Sequence, residues 1–348
     1  MEVERVLLAE PRGFCAGVEM AIKALAWMVR VFEPPVYCYH EIVHNQIVVD
    51  RFRRLGVVFV DDVADVPDGA PLMLSAHGSA PDVVAAARAR GGAVVDAVCP
   101  LVTKVHHELG VRAKKGYTVL YVGHEGHDEA VGTLAVAPTA CRLVETEHDV
   151  RALPDPGTPV ALLAQTTLSH DEWAGIKDQA LARFPDLWMA GRSDLCFATT
   201  NRQAALKAVA GDADAVVVIG SANSSNTIAL EKVARASGAA RVHRVNSAAE
   251  LPEDLSGTVA VTAGASAPEE LVRAVLDRLA PRQGVHPVRV TDEDEYFPPP
   301  PELRDLLRGL SALVSAAVGA PPRTTLPLAD DRQVAASDVL DALGANAG

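Results

Sequence analysis

The chain has 348 residues, 49% hydrophobic and 22% charged, with a formal net charge of −13. That length supports two or three domains with substantial cores. The acidic balance makes nucleic acid and anionic membrane surfaces poor partners, and no apolar run reaches the roughly 18 residues of a membrane span.

The first residues, Met1-Glu2-Val3-Glu4-Arg5, lack the basic start and long apolar core of a signal peptide, so a cytoplasmic setting is expected. An apolar run at 6–9 predicts a strand and the run 18–31 a helix; between them Cys15 lies in a glycine-flanked turn, Arg12-Gly13-Phe14-Cys15-Ala16-Gly17. Short, nearly continuous apolar runs follow at 57–60, 72–74, 118–122, 160–163, 215–219 and 259–261. Each is separated from the next by helix-period segments. This is the pattern of strands buried on both faces of parallel sheets, so an α/β fold is expected. Two more apolar runs lead through a cysteine into helical segments, at Cys99-Pro100 and at Asp194-Leu195-Cys196-Phe197. Near the end come an acidic run at 291–295, a proline block at 298–301 and a helix-like stretch at 302–317. The remainder is rich in Ala, Pro and Asp and is expected to be flexible.

With the cysteines as origins, a coarse repeat emerges. Cys15 is followed by His44 and His77, Cys99 by His127 and Thr166, and Cys196 by Asn226 and Ser266, at similar offsets. Ser79, Ser169 and Ser266 each stand three residues before an acid, just after an apolar run, as helix-start signals do. Three similar α/β units are inferred, with loops gathered at the carboxyl ends of their strands, where open α/β sheets bind ligands.

The five cysteines are odd in number and sparse, which argues against a disulfide framework. Cys15, Cys99 and Cys196 lie too far apart for a zinc ribbon or a compact ferredoxin run. They suit one iron–sulfur cluster built at the junction of three units. Three thiolates leave a cubane cluster one ligand short, so an open iron could act as a Lewis acid. Each cysteine precedes a helix, whose N-terminus favours a thiolate. Cys38 and Cys141 lack this context and read as ordinary small residues. Polar loops around His44, His77, His127, residues 221–227 and Gly264-Ala265-Ser266 suit an anion such as a phosphate. Gly123-His124-Glu125-Gly126-His127-Asp128-Glu129 offers a carboxylate that burial could turn into a proton donor; zinc is a weaker competitor there, without the helical HExxH spacing.

Several stretches together resemble the 4-hydroxy-3-methylbut-2-enyl diphosphate reductase family. They are Pro11 to Gly17, Val43-His44-Asn45, Ser75-Ala76-His77-Gly78, Cys99 to His106, Gln165 to Ser169, Cys196 to Gln203, Asn223 to Asn226 and Thr262 to Ser266. The resemblance spans roughly residues 5–308. It implies a three-lobed α/β trefoil, with pseudo-threefold symmetry, around a central [4Fe–4S] cluster held by Cys15, Cys99 and Cys196. It divides the chain into lobes at 16–99, 100–196 and 197–284, a closing N-terminal strand (1–15), a C-terminal segment (285–318) and a tail (319–348). It implies an allylic diphosphate substrate whose hydroxyl binds the fourth iron and leaves as water. The products would be isopentenyl and dimethylallyl diphosphate, at the end of the non-mevalonate isoprenoid pathway. Glu129 matches the proton donor, with Thr166 and His127 beside it. His44, His77, His127, Thr166, Ser224, Ser225, Asn226 and Ser266 match the substrate contacts. Electrons would come from a donor such as ferredoxin or flavodoxin, with no nucleic-acid or membrane partner. Asp128 departs from the family, which usually has proline there, and the tail past Gly319 has no counterpart.

Other readings of the same residues are an iron–sulfur hydro-lyase or quinolinate-synthase-like enzyme, an iron–sulfur sensor and a metal-free phosphate binder. The first would need no external electrons. The second would need a partner-binding element, and no basic helix-turn-helix is evident.

Overall fold

The computed structural model describes residues 1–191, 193–319 and 331–345. Strand β1 (Glu2–Glu10) leads to helix α1 (Ala16–Val31). Then come β2 (Val36–Tyr39), α2 (Gln46–Arg54), β3 (Val57–Val60), β4 (Leu72–Leu74), α3 (Pro81–Ala89) and β5 (Val94–Asp96). Next are α4 (Pro100–Lys114), β6 (Thr118–Val122), α5 (Asp128–Val136), β7 (Cys141–Val144), α6 (Glu147–Ala152), β8 (Val160–Ala164), α7 (His170–Arg183) and β9 (Trp188–Met189). The chain continues through α8 (Phe197–Ala210), β10 (Ala215–Ile219), α9 (Ser225–Ala236), β11 (Val242–Val245), β12 (Ser256–Ala263), α10 (Glu269–Leu279), β13 (Val285–Arg289), α11 (Pro301–Ala317) and α12 (Ala336–Ala345).

The strands form three small sheets, and every recorded pairing is parallel. This is the α/β class, with three small parallel sheets, that the apolar runs imply. The sheet orders are β3-β2-β4-β5, β7-β6-β8-β9 and β11-β10-β12-β1-β13. All three share one pattern: second strand, first, third, fourth. In the third sheet the fourth place is taken by β1, brought from the start of the chain and paired with both β12 and β13. The sequence repeat now has a structural meaning. Cys99 follows the fourth strand of its sheet, Cys196 follows β9 in the same place, and Cys15 follows β1. The second polar positions His77, Thr166 and Ser266 follow the third strands, and the first positions His44, His127 and Asn226 follow the first strands. Parallel pairing puts all these ends on one edge of their sheet.

By contacts the chain divides into two compact units. One comprises Met1–Cys15, Ser79–Pro81 and Leu101–Asp294 and contains the first strand and the two later sheets; the other comprises Ala16–Gly78, Asp82–Pro100 and Glu295–Gly348. In the first unit every residue of β8 and β10 is buried, as continuous apolar strands between helices should be. Val105 and Leu109 of α4 cover one face of the β6–β8 sheet, while Trp173 and Ile176 of α7 pack in the cluster on the other. Cys38 in β2 and Cys141 in β7 are buried small residues, and burial pushes the Cys141 thiol up to about 12.

The helix-start signals behave unequally. Ser169 forms the expected capping box with Glu172 at α7. Ser266 does not cap α10: that helix starts after Pro268 without a side-chain cap, and the Ser266 hydroxyl reaches Ser224 instead. Ser79 lies one residue too early, since α3 opens at Pro81.

The expectation of a flexible tail changes for residues 331–345; 320–330 and 346–348 lie outside the described residues. Within the second unit α12 packs on α1, burying Ala336, Leu340 and Leu343. Two polar residues of α1 hold it. Glu19 accepts the N–H of Ala336 at 2.7 Å, satisfying an otherwise orphaned donor of the first turn. Lys23, itself buried, donates to the carbonyls of Asp331 (3.3 Å) and Val334 (3.1 Å) and pairs with the Asp331 carboxylate at 3.5 Å. The Ala-, Pro- and Asp-rich composition of the tail masked three well-placed apolar side chains. Ending the chain at Gly319 strands the buried Lys23 without these partners, so the melting temperature should fall by several degrees. Scanning calorimetry would show it; an unchanged transition would mean that α12 does not rest on α1 in solution.

Candidate active site

The first unit brings together Cys15, Cys196, Glu129, Thr166, His127 and the loops of α9 and α10. Cys196 is the N-cap of α8, with extended backbone dihedrals. Its sulfur accepts the Thr199 N–H at 3.2 Å and lies 3.0 Å from the Thr199 hydroxyl. Burial and the neighbouring Cys15 push its thiol up to about 12. Left alone, then, this thiol stays protonated. A thiolate needs a cation to compensate, which is what a metal ligand has. The Cys196 N–H is bonded to the Thr166 carbonyl at 3.0 Å, and the Cys15 N–H to that of Ala265 at 3.2 Å. Each cysteine loop is therefore pinned to the loop after the third strand of its sheet.

Glu129 sits in the first turn of α5 and is buried. One carboxylate oxygen accepts the Thr166 N–H at 2.7 Å and the other its hydroxyl at 2.8 Å. Those bonds favour the charged form, yet burial outweighs them, with Asp194 adding repulsion, and the pKa rises to about 7. The turn is set by His127, whose Nδ1 accepts the Glu129 N–H at 3.1 Å. In its neutral form His127 must then carry its proton on Nε2. Asp128 holds the first helical position of α5, where proline is also favoured and an acid suits the helix dipole. The departure from proline therefore leaves the turn intact.

The loops before α9 and α10 are joined to this centre. Ser224 caps α9 by accepting the Thr227 N–H. Asn226 is buried; its Oδ1 accepts the Ala265 N–H at 2.9 Å and its amide lies 3.5 Å from the Thr199 hydroxyl. Gly264 is required here: a Cβ would fall 2.2 Å from the Thr227 hydroxyl. Gln165 and Thr167, which carried no role in the sequence reading, supply the link between sheets. Gln165 donates to Thr167 (2.9 Å) and Ser225 (3.1 Å), and the Thr167 hydroxyl bonds Ser225 at 2.9 Å. Asp194 was also missed. It is buried, its pKa is raised by that burial, and it accepts Lys104 and the Ala164 N–H, both at 3.3 Å. Proximity to a cysteine was the only signal for it.

The second unit holds His44, His77 and Cys99. The two imidazoles stack with centroids 3.8 Å apart and planes 14° from parallel. The Cys99 N–H bonds the carbonyl of Ala76, beside His77, at 3.0 Å. Asn45 uses its side-chain oxygen for the local backbone. It is the buried N-cap of α2, accepting the N–H groups of Ile47 and Val48.

Fold and site define a class: an α/β protein with thiols at helix N-termini, two of them in the same unit as a buried carboxyl and loops rich in neutral hydroxyl and amide groups. The comparisons are specific. The LytB protein family model matches residues 6–280, and the chain belongs to that family, one of iron–sulfur enzymes. It is 48% identical over 306 residues to the 4-hydroxy-3-methylbut-2-enyl diphosphate reductase of Rhodopirellula baltica, covering 86% of this chain and 96% of that protein. It is 46% identical over 309 residues to the enzyme of the same name from Mycolicibacterium paratuberculosis, covering 86% and 92%. The solved structure of the E-1-hydroxy-2-methyl-but-2-enyl-4-diphosphate reductase from Plasmodium falciparum superposes with a TM-score of 0.85 at 31% identity, over 89% of this chain and 99% of that one. Among the described residues no helix is long and apolar enough to cross a membrane.

The raised pKa of Glu129 makes a stability prediction. Its folded value, about 7, lies above the ordinary 4.5, so the folded state holds the proton more tightly. That contribution is complete below about pH 4.5 and is lost as pH rises through 7. Denaturant unfolding of Glu129→Gln should therefore gain on the unsubstituted protein from pH 5 to 8, by on the order of 3 kcal/mol. A difference independent of pH would contradict the shift.

Proposed function

We propose that this chain reductively dehydroxylates 4-hydroxy-3-methylbut-2-enyl diphosphate to isopentenyl and dimethylallyl diphosphate, closing the non-mevalonate isoprenoid pathway, with Cys15, Cys99 and Cys196 as ligands of a [4Fe–4S] cluster. The observation that carries the reading is the Glu129–Thr166 pair. A carboxyl that keeps its proton near neutrality is buried in the unit that also holds two of the cysteines and the neutral anion loops. The donor set fits the group: none of the five cysteines forms a disulfide, and Cys15, Cys99 and Cys196 each stand directly before a helix. What such a cluster supplies when bound is reducing electrons and a Lewis-acidic metal corner.

This chain's own residues do the rest. The hydroxyls of Ser224, Ser225 and Ser266, the Asn226 amide, the first N–H groups of α9 and the Nε2–H of His127 bind the diphosphate; His44 and His77 donate to it as well. Neutral donors in a dry site hold an anion without the competing cations that would need their own desolvation. Thr166 orients the Glu129 carboxyl and relays between it and the substrate. Glu129 holds a proton for the departing oxygen. In the balance, two electrons and two protons enter, the allylic C–O bond breaks, and the oxygen leaves as water. The electrons come from a separate carrier of the ferredoxin or flavodoxin class. The names of the relatives favour this reaction over the hydro-lyase reading. A reducing cytoplasmic setting suits a protein none of whose cysteines forms a disulfide.

Two measurements test this. Anaerobically reconstituted Cys99→Ser should retain well under half of the unsubstituted iron; a full complement would remove Cys99 as a ligand. Glu129→Gln should bind the diphosphate normally by calorimetry while turnover with a chemical reductant falls roughly 10²- to 10⁴-fold, the range of a lost general acid. Turnover near the unsubstituted rate would remove Glu129 as proton donor, and product formed without any reductant would refute the reductase reading itself.

A further inference from the structure

Arg202 lies on α8, the helix that Cys196 begins, and is about 1% exposed. A guanidinium this deep is costly to desolvate unless each edge is occupied. Here each is. Nε and one terminal nitrogen donate to the Gly13 carbonyl at 3.0 and 2.8 Å, and that same nitrogen reaches the Phe14 carbonyl at 3.1 Å. The other terminal nitrogen donates to the Ala198 carbonyl at 3.1 Å and to both oxygens of Glu293 at 2.9 and 3.1 Å.

The partners decide what this arrangement does. Gly13 and Phe14 are the residues immediately before Cys15. Ala198 belongs to the first turn of the helix capped by Cys196. Glu293, from the acidic run after β13, neutralises the cation and is itself anchored by Asn201 at 3.0 Å. The opposite side of the Cys15 loop is already fixed by β12: the N–H groups of Gly13 and Cys15 bond the carbonyls of Ala263 and Ala265. Gly13 has φ +66°, a left-handed turn, and a Cβ there would meet the Ala267 carbonyl oxygen at 3.3 Å. The Cys15 loop is thus gripped on one side by a strand end and on the other by a side chain of the Cys196 helix.

We propose that Arg202, held by Glu293, is a positioning residue that fixes the spacing of the Cys15 and Cys196 thiols before any metal is bound. The inference rests on the reading of both cysteines as cluster ligands, and it adds a residue that touches neither substrate nor sulfur. The planar fork is essential to it. A lysine carries the same charge but only one nitrogen, which cannot bridge the Gly13 and Phe14 carbonyls and the α8 turn together.

The test uses the full-length apoprotein in a Cys99→Ser background, where the remaining cysteines, Cys38 and Cys141, are buried. Dibromobimane fluoresces once both its arms have alkylated neighbouring thiols. Bridging of Cys15 to Cys196 is expected, and Cys15→Ser should abolish it. Arg202→Lys should slow bridging about tenfold, the scale of a lost charge-assisted hydrogen bond, while the circular dichroism spectrum stays unchanged. Glu293→Gln keeps a carbonyl acceptor on the partly exposed side of the pair and should slow bridging by a smaller factor. Bridging at the parent rate in Arg202→Lys, or in Glu293→Gln should Arg202→Lys not fold, would overturn the proposal. Iron bound per chain after reconstitution, with Cys99 restored, separates the two claims. Normal bridging with no iron bound by the otherwise unsubstituted protein would sink the cluster reading and leave the clasp standing.

Discussion

Parallel strand pairing is the constraint on which this molecule depends. A parallel sheet sends every strand out through the same edge, so whatever follows the strands must share that edge. Three sheets with one strand order therefore produce three equivalent sets of loops. The inner strands deliver His44 and His77, His127 and Thr166, and Asn226 and Ser266. The fourth position delivers a cysteine each time. In the third sheet the N-terminal β1 is inserted at the fourth place, pairing with β12 on one side and on the other with β13, which is displaced to the edge. That substitution explains why one of the three cysteines lies at the start of the chain and not at its end.

Within that frame the chemistry follows from burial without a matching cation. Lys104 reaches Asp194, whereas among the described residues no ion pair is formed by Glu129, which accepts its hydrogen bonds from neutral Thr166. A buried carboxylate with only neutral donors keeps its proton to higher pH, and this is the property a proton donor needs at neutrality. Arg202, a deeply buried cation among the cysteine loops, is matched by Glu293 and spends its other hydrogen bonds on backbone carbonyls. Charge in this region is thus either withheld, as at Glu129, or tied to the main chain, where it sets geometry.

Much of this was legible in the sequence. The apolar runs at 72–74, 160–163 and 215–219 are strands buried on both faces, and those at 57–60 and 118–122 are strands too, although Val58 of the edge strand β3 is exposed. The three cysteines stood out because each lies between such a run and a helix. What escaped notice did so for physical reasons. β11 and β13 are edge strands and tolerate His243, Arg244, His286 and Pro287, so they carry no apolar signature. β9 is two residues long. The similar Ser-x-x-acid signals at 169 and 266 part company because Pro268 occupies the cap position of α10, leaving the Ser266 hydroxyl for Ser224. Gln165, Thr167 and Arg202 were visible in their motifs, but their partners are distant in sequence, and only the folded chain reveals that Ser225 and the Gly13 carbonyl await them. The Ala-, Pro- and Asp-rich composition of the end suggested flexibility, yet Leu340 and Leu343 of α12 are buried.

The central claim is that Cys15, Cys99 and Cys196 together hold one cluster with a site left for the substrate. Mössbauer spectroscopy of anaerobically reconstituted, iron-57-labelled protein, recorded with and without the allylic diphosphate, tests it most directly. The account predicts one iron set apart from its neighbours, with parameters that shift when the diphosphate is added. Equivalent irons indifferent to the diphosphate, or no cluster signal at all, would contradict it.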